Sequence, residues 1–596
     1  MPSSSITRTA SITRAARTRG SFLVLLLALV TAASVSAQQS GNNTVVAIVG
    51  VHVVPMDEDR VLENQTVIIE DGRIRSMGAV ADLTVPQSAR VVDGSGLYLM
   101  PGLADLHVHV RRPDEYVNYL AWGVTTITHL GGSAARGREL LEHRRLIASG
   151  EMIGPNIYTT ERTLDGDPPT GGNTLPLASP DAAREKVAEM KAAGFDFVKI
   201  YNNVSLPVFR AIIDEAAKQN MPVFGHIPRN FDPLVAMRGG QDAVAHTEEF
   251  FFTYFDGPRS TTDIDLSYRP DLSKIPALVE VLLENDVAIM PDLCFTFTNL
   301  LMWDGLENIW NDPELTYQHP NTVLAWRVAN INRREEIENF IFRDQIKYEL
   351  MQELTRQFQD AGILQVIGTD ASLPGLFPGK AAHRELTELV KAGLSNFDAL
   401  SIGTRNAGEF VRRYIDDTAR FGRIEPGYGA DLVLVAGNPL EDVRNARGVV
   451  GVAVAGRWFE KSELEAERVT LAAEYEKLHE LNAQIDDALL RDDAESAVRR
   501  ILSAHEGDSE TVDAIRERVN SSGYAAAYDG RIERAHEILA LATRLFPESA
   551  NAWDSLGEIT LYMGDRDQAI EHYRKALEID AEFPSAKEQL RKLQND

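Results

Sequence analysis

Cysteine is nearly missing: Cys294 stands alone in 596 residues. One thiol excludes an intramolecular disulfide, and no cysteine near the N-terminus could carry a lipid. Basic residues are also scarce, with 60 Lys and Arg against 88 Asp and Glu and a formal net charge of −28. That balance excludes nucleic acid as a partner, since phosphates require a basic surface. It does not constrain a small substrate. Long hydrophobic runs are lacking as well. The stretch Phe22 to Val30 is short for a bilayer span, so no stable membrane span is expected.

The rest of the composition is that of a globular protein, 44% hydrophobic and 25% charged. The length exceeds what one core supports, so about two to four domains are expected. Arg8, Arg14, Arg17 and Arg19 precede the short apolar run, and Val35-Ser36-Ala37 follows it as a small-residue cleavage site. Residues 1–37 therefore read as a secretory signal peptide, and the product as periplasmic or secreted.

Residues 44–100 alternate β-rich segments and turns, with Asp71-Gly72 as a hairpin signal. A matching β segment returns over 419–460, around Asp431–Val435 and Val449–Trp458. The two segments are expected to pair as a small discontinuous β-sandwich. Between them, over 101–418, short apolar runs alternate with helical patterns. Eight such runs occur: Leu103–His109, Thr125–Leu130, Asn156–Thr159, Phe197–Tyr201, Pro222–Ile227, Ala243–His246, Val287–Leu293 and Leu364–Asp370. The fold class is thus α/β, with a closed (β/α)8 TIM-like barrel.

From 462 the chain reads as all-α, with a helical connector over 462–515 opened by a capping box at Ser462 and Glu465. Residues 516–596 carry a 34-residue repeat. Gly523 recurs as Gly557, Gly530 as Gly564, Ala535 as Ala569 and Ala542 as Ala576. Trp553-x-x-Leu556-Gly557 and Ala569-x-x-x-Tyr573-x-x-Ala576 resemble the tetratricopeptide repeat, which implies a protein partner bound through this region.

Six residues at the ends of the apolar runs carry the chemistry: His107, His109, Lys199, His226, His246 and Asp370. A ligand type at the C-terminal end of successive parallel strands marks a barrel active site. Imidazole and carboxylate suit a divalent ion such as zinc. His107 and His109 are two apart on one strand, so they face the same side. Lys199 in an apolar strand is costly unless it is paired or modified. A neutral amine can add carbon dioxide to give a carbamate, an anionic ligand able to bridge two metals.

These motifs resemble the amidohydrolase superfamily, in its binuclear branch with a carboxylated lysine and its imidazolonepropionase-like and Xaa-Pro dipeptidase group. The likeness spans about Val45 to Phe459. It rests on Pro101-Gly102-Leu103-Ala104-Asp105-Leu106-His107-Val108-His109, Val198-Lys199-Ile200-Tyr201, Gly225-His226, Ala245-His246-Thr247-Glu248 and Gly368-Thr369-Asp370-Ala371. The resemblance implies two divalent metal ions, zinc by expectation, with carbon dioxide held as the Lys199 carbamate. It puts His107, His109 and Asp370 on the more buried ion, His226 and His246 on the outer one, and Lys199 between them. It also implies attack on a carbonyl by a metal-bridged hydroxide, with Asp370 moving the proton to the leaving amine.

Tyr201 lies two residues beyond Lys199 and faces the same way, as an oxyanion donor or a packed rim tyrosine. His129 ends the second run, where related sequences often carry an acid, and is a candidate substrate contact or loop cap. His383 with Arg384 could take a substrate carboxylate or simply begin a solvated helix. Glu248 and Glu249 could support His246 or stand at the rim. No glutamate follows His226 closely, as it does in single-metal deaminases. With Lys199 present, that absence favours hydrolysis of a C–N bond, in a dipeptide or N-acyl amino acid. Alternatives are a cyclic amide or lactone hydrolase, or a non-catalytic scaffold binding through its repeats.

Overall fold

The computed structural model describes residues 45–170, 174–259, 264–304, 307–331, 337–581 and 583–595. The expected signal peptide lies outside the described residues. Among the described residues no helix is long and apolar enough to cross a membrane.

Two parallel sheets carry the expected strand ends. In the first, Leu103–Val108, Val124–His129 and Asn156–Thr159 pair in that order. In the second the order is Leu175–Pro176, Thr163–Asp165, Val198–Ile200, Val223–Gly225, Ala243–Ala245 and Ala288–Met290. All of the pairings in both sheets are parallel. The strands Ala243–Ala245 and Ala288–Met290 are buried at every position. That burial explains their unbroken apolar character.

Two expectations change here. Thr163–Asp165, absent from the eight expected runs, is a strand beside Val198–Ile200. Leu364–Asp370, expected as the eighth strand, is not a regular strand. It touches the sheets through single bridges, Ile289 to Gln365 and Val108 to Ala371. Its backbone hydrogen bonds cross both ways, from Val366 N–H to Ile289 O at 3.0 Å and from Leu106 N–H to Ile367 O at 2.8 Å. The extended course then breaks, because Thr369 and Asp370 both donate to His107 O, at 3.2 and 2.8 Å. Asp370 adopts φ of +61°. On the opposite side, Asp196 N–H donates to Thr159 O at 3.0 Å. Parallel segments thus follow one another from Leu103–Val108 round to the last apolar run, but among the described residues no continuous ladder closes them into a ring.

The helices between strands follow their local signals. Ser179 caps the helix Pro180–Ala193 by accepting from Ala182 N–H at 3.2 Å, and Gly194 ends it in the left-handed region. The helix Leu206–Lys218 buries Val208, Phe209, Ile212 and Ala216 along one stripe.

The flanking β segments join in one mixed sheet of eight strands, whose far edge returns on the second segment where Arg73 bridges Gly429. Tyr98–Pro101 joins them, parallel to Val46–Val53 and antiparallel to Leu432–Val435. The two segments share a core, in which Val46, Val67 and Ile74 join Leu432, Leu434 and Trp458. Alternating residues serve two cores. Leu432 and Leu434 pack with Val46, Ile48 and Trp458, whereas Val433 and Val435 join a core containing Leu103, Val108 and Tyr116.

The C-terminal part is helical from Lys461 to Asn595. Its first helix, Lys461–Leu489, starts two residues earlier than the sequence suggests, with Glu460 N–H bound to Glu463 Oε2 at 2.7 Å in place of a Ser462–Glu465 box. The helices Ser509–Tyr528, Ile532–Leu545, Ala550–Tyr562 and Arg566–Ile579 then repeat the 34-residue spacing in three dimensions. A Cβ at Gly523 would lie 2.6 Å from Leu539, and one at Gly557 would lie 2.8 Å from Tyr573. Leu539 and Tyr573 hold the same place in successive repeats. Ala535, Ala542, Ala569 and Ala576 are all buried, so small residues set the close approach of paired helices.

Candidate metal centre

His107 ends a fully buried strand, and His109 lies just past it with its side chain 30% exposed. Both imidazoles turn toward Asp370. His109 Nε2 is 2.9 Å from Asp370 Oδ1, and His107 Nε2 is 3.6 Å from the same oxygen. His246 enters from the strand Ala243–Ala245, with Nε2 3.8 Å from Asp370 Oδ2. Nitrogen and oxygen donors of His107, His246 and Asp370 all lie within 4.8 Å of one another, and all three residues are buried. His246 and Asp370 both adopt left-handed backbone, at φ +70° and +61°. Such strain in non-glycine residues clusters at functional sites, and here it turns both side chains off the strand direction.

The sequence reading missed the residue that holds this cluster together. Asp292 Oδ2 hydrogen bonds with His107 Nδ1 at 2.8 Å and lies 2.8 Å from His246 Nδ1. Asp292 is fully buried. Gly368 makes room for it, since a Cβ there would sit 2.0 Å from Asp292 Oδ1. The signal was available, because Asp292 closes the apolar run Val287–Leu293 just as Asp370 closes the last one.

His226 is organised separately. Its Nδ1 lies 2.9 Å from Asn202 Oδ1 and 3.0 Å from Glu249 Oε1, and Arg229 donates to that same glutamate at 2.7 Å. The His226 and His246 rings are 4.9 Å apart. Tyr201 packs on His226 with ring centroids 4.2 Å apart. His107, His246 and Asp370 offer donor atoms within 4.8 Å of one another, and His109 Nε2 meets the same Asp370 carboxylate at 2.9 Å. Glu248 turns away and takes Lys347 Nζ at 2.6 Å.

Electrostatics follow the packing. Burial, helped by the Lys199 and His246 charges, keeps His107 neutral, well below the usual imidazole range. Burial likewise pushes His226 down to about 4, against the pull of Glu249. Burial disfavours a charged His246 too, but Asp292, Asp370 and Glu248 outweigh it and raise this ring to about 9. Burial would raise Glu249, yet His226 and Arg229 hold it down at about 2. Asp370 is held below the normal carboxylate range by His107 and His109 despite its burial. Lys199, 2% exposed, is pushed down to about 8 by burial, with Asp370, Asp292 and Glu249 resisting.

The donor set fits a divalent cation. His107 Nε2 is buried without a hydrogen-bond partner and faces the Asp370 carboxylate. A ring nitrogen left unmet in an apolar strand end is costly unless an ion meets it. The hydrogen bond of His107 Nδ1 to Asp292 fixes that ring's tautomer as metal-ligating histidines require.

The other candidates separate. Lys199, Tyr201, His129, His226, His246 and Asp370 line one cavity of about 770 Å³. His129 accepts the Val110 N–H on Nδ1 at 3.0 Å, and its Nε2 is buried without a partner at the cavity wall. His383 is a correction. It is buried in the helix Lys380–Lys391, with Nε2 2.7 Å from Trp122 O, and is not among the cavity's lining residues. Helix packing, not substrate, engages it. Arg384 is likewise bound to Thr298 Oγ1 at 2.7 Å.

No family model matches the chain. A dihydroorotase of Mycobacterium tuberculosis is 39% identical over 74 residues, 12% of this chain and 16% of that protein. The chain thus spans about a sixth of that relative's length. The ochratoxinase of Aspergillus niger is 23% identical over 469 residues, covering 67% of this chain and 83% of the enzyme. Among solved structures, bottromycin amidohydrolase superposes with a TM-score of 0.57 at 20% identity, over 72% of this chain and 90% of that one. Together these relatives support the amidohydrolase superfamily. The structural likeness shows the shared fold, and the relatives' names support a hydrolase.

Proposed function

We propose that the chain is a metal-dependent amidohydrolase that cleaves a C–N bond, in a dipeptide or an N-acyl amino acid, with a periplasmic or secreted location set by the N-terminal leader. The observation that carries the reading is the convergence of His107, His246 and Asp370, with Lys199 and His226 on the same cavity. On this reading the parallel segments act as a (β/α)8 barrel whose strand C-termini form the site. The repeats belong to the tetratricopeptide type.

His107, His109, His226, His246 and Asp370 would hold two divalent ions, zinc by donor type, with carboxylated Lys199 between them. When bound, such ions supply a Lewis acid and an activated water. The protein's own groups do the rest. Asp370, kept anionic by its histidines, accepts a proton from the attacking water and delivers it to the leaving nitrogen. Tyr201, with burial raising its phenol, stays protonated and donates to the developing oxyanion. His129 offers Nε2–H toward substrate from the cavity wall. Arg111 at the mouth supplies positive charge for a substrate carboxylate.

The lysine chemistry fits its setting. With an ammonium pushed down to about 8, roughly a tenth of Lys199 is neutral amine at pH 7, the form that adds carbon dioxide. The test is an assay of full-length protein, loaded with zinc and bicarbonate, against dipeptides and N-acyl amino acids. Free amino acid should be released, and Lys199→Ala should abolish most of it. Normal turnover and full metal content in Lys199→Ala would sink the carbamate reading. No release by the loaded wild type would sink amide hydrolysis.

A further inference from the structure

The C-terminal helices reach the cavity. Arg468, on the helix Lys461–Leu489, donates to Glu314 Oε2 at 2.6 Å and to Asn118 Oδ1 at 3.1 Å, and stacks 3.7 Å from the Tyr317 ring centre. This ion pair is nearly buried, with side chains 12% and 8% exposed. Further along the same helix, Tyr475 meets the His319 ring edge-on at 5.4 Å. The next long helix, Ser509–Tyr528, brings Glu517 to the cavity mouth, where Asn321 Nδ2 donates to Glu517 Oε2 at 2.8 Å. Glu517 is one of the residues lining the 770 Å³ cavity that also contains Lys199 and Asp370. A buried Arg468 pair and an aromatic contact hold the helical region against this mouth, so Glu517 is a fixed wall and not a passing loop.

The charges around the mouth are accounted for one by one. Arg111 Nε donates to Ser372 O at 3.1 Å, Arg136 pairs with Glu139, and Arg112 pairs with Asp114 at 3.1 Å. Among the lining carboxylates, Asp370 belongs to the metal cluster and Glu248 takes Lys347. Glu517 receives the Asn321 amide, which orients the carboxylate, and its charge also bears on Arg112, a guanidinium already paired with Asp114.

We propose that Glu517 is a specificity-determining residue, contributed by the helical region, that favours substrates with a cationic group remote from the scissile bond. Resting on the amidohydrolase reading, this selects, within the dipeptides and N-acyl amino acids, those that carry a basic side chain such as lysine. The helical repeats then serve the active site directly, whatever else they bind. A carboxylate at a partly exposed mouth discriminates a single positive charge by about fivefold, and reversing its sign roughly doubles the effect in free energy.

The experiment measures kcat/KM for a lysine-containing dipeptide and its side-chain Nε-acetyl derivative with the full-length wild type, Glu517→Gln and Glu517→Lys. Binding of both ligands to the metal-free full-length chain is titrated in parallel. Glu517 is exposed, so neither variant threatens folding. The wild type should prefer the peptide with the free lysine side chain. Glu517→Gln should shrink that preference by about fivefold, and Glu517→Lys should shrink it further or invert it. A preference unchanged within twofold in both variants overturns the proposal, as does failure of either ligand to bind. If wild type binds with the preference, and Glu517→Lys inverts it, without any turnover, the hydrolase reading fails while the role of Glu517 stands.

Discussion

Replacing Asp292 by alanine takes one carboxylate away from two histidines at once. In the native protein Oδ2 holds Nδ1 of His107 and approaches Nδ1 of His246, each at 2.8 Å. Without it neither ring has its outer nitrogen fixed, and both can rotate away from Asp370. The carboxylate also lifts His246 to about 9 against the burial that disfavours its charge, so its loss lowers the basicity of that ring. Supporting carboxylates of this kind are worth about 10- to 100-fold in metal affinity, or about 1.4–2.7 kcal/mol. The upper end is expected here because two ligands share one support. Asn at position 292 keeps one acceptor oxygen without the charge, so its loss should fall between wild type and alanine. The assay is competition between the protein and a chelator for zinc or cobalt at fixed pH, with melting temperature as a control for folding. Affinity within twofold of wild type in Asp292→Ala, with melting unchanged, would refute the argument that Asp292 positions the ligands.

Two further outcomes follow from packing. Gly557→Ala should lower stability by about 1–3 kcal/mol, because its Cβ would lie 2.8 Å from the Tyr573 ring, which is fully buried. Thermal denaturation reads this, and an unchanged melting temperature would contradict the close helix packing. Glu385, fully buried behind Asp292 and accepting the Leu293 and Cys294 N–H groups, is pushed up to about 8, chiefly by burial. Its folded value exceeds its unfolded value, so its contribution is greatest below about pH 4.5 and is lost as pH rises toward 8, by at most about 1.4 kcal/mol per pH unit. Metal-free wild type should therefore lose melting temperature over pH 5–8 more steeply than Glu385→Gln. Parallel curves would show that Glu385 titrates normally.

The legible part of the site consists of residues that obey a local pattern. His107, Lys199, His226 and His246 end apolar runs that the structure forms as strands or their immediate continuations, and strand periodicity alone places such residues at one edge. Helix limits were legible where capping chemistry is local, as at Ser179 and Gly194. The repeat was legible because identical small residues recur at a fixed interval. The last apolar run misled, because Leu364–Asp370 has strand composition but lacks a strand's continuous partners. Thr163–Asp165 was missed because three residues carry too little periodicity.

The sequence by itself determined which residue types stand at strand ends, where helices begin and stop, and the 34-residue spacing that brings Gly557 against Tyr573. These are properties of neighbours along the chain, where covalent geometry and hydrogen bonding act over a few residues. Tertiary structure alone decided that Asp292 braces His107 and His246, and that Glu249 and Arg229 hold His226. It also decided that His383 turns to Trp122 O instead of the cavity, and that Glu517 meets Asn321 across 196 residues. Such contacts depend on how separately specified elements pack together, and a burial pattern records that a residue is inside without recording what lies opposite it.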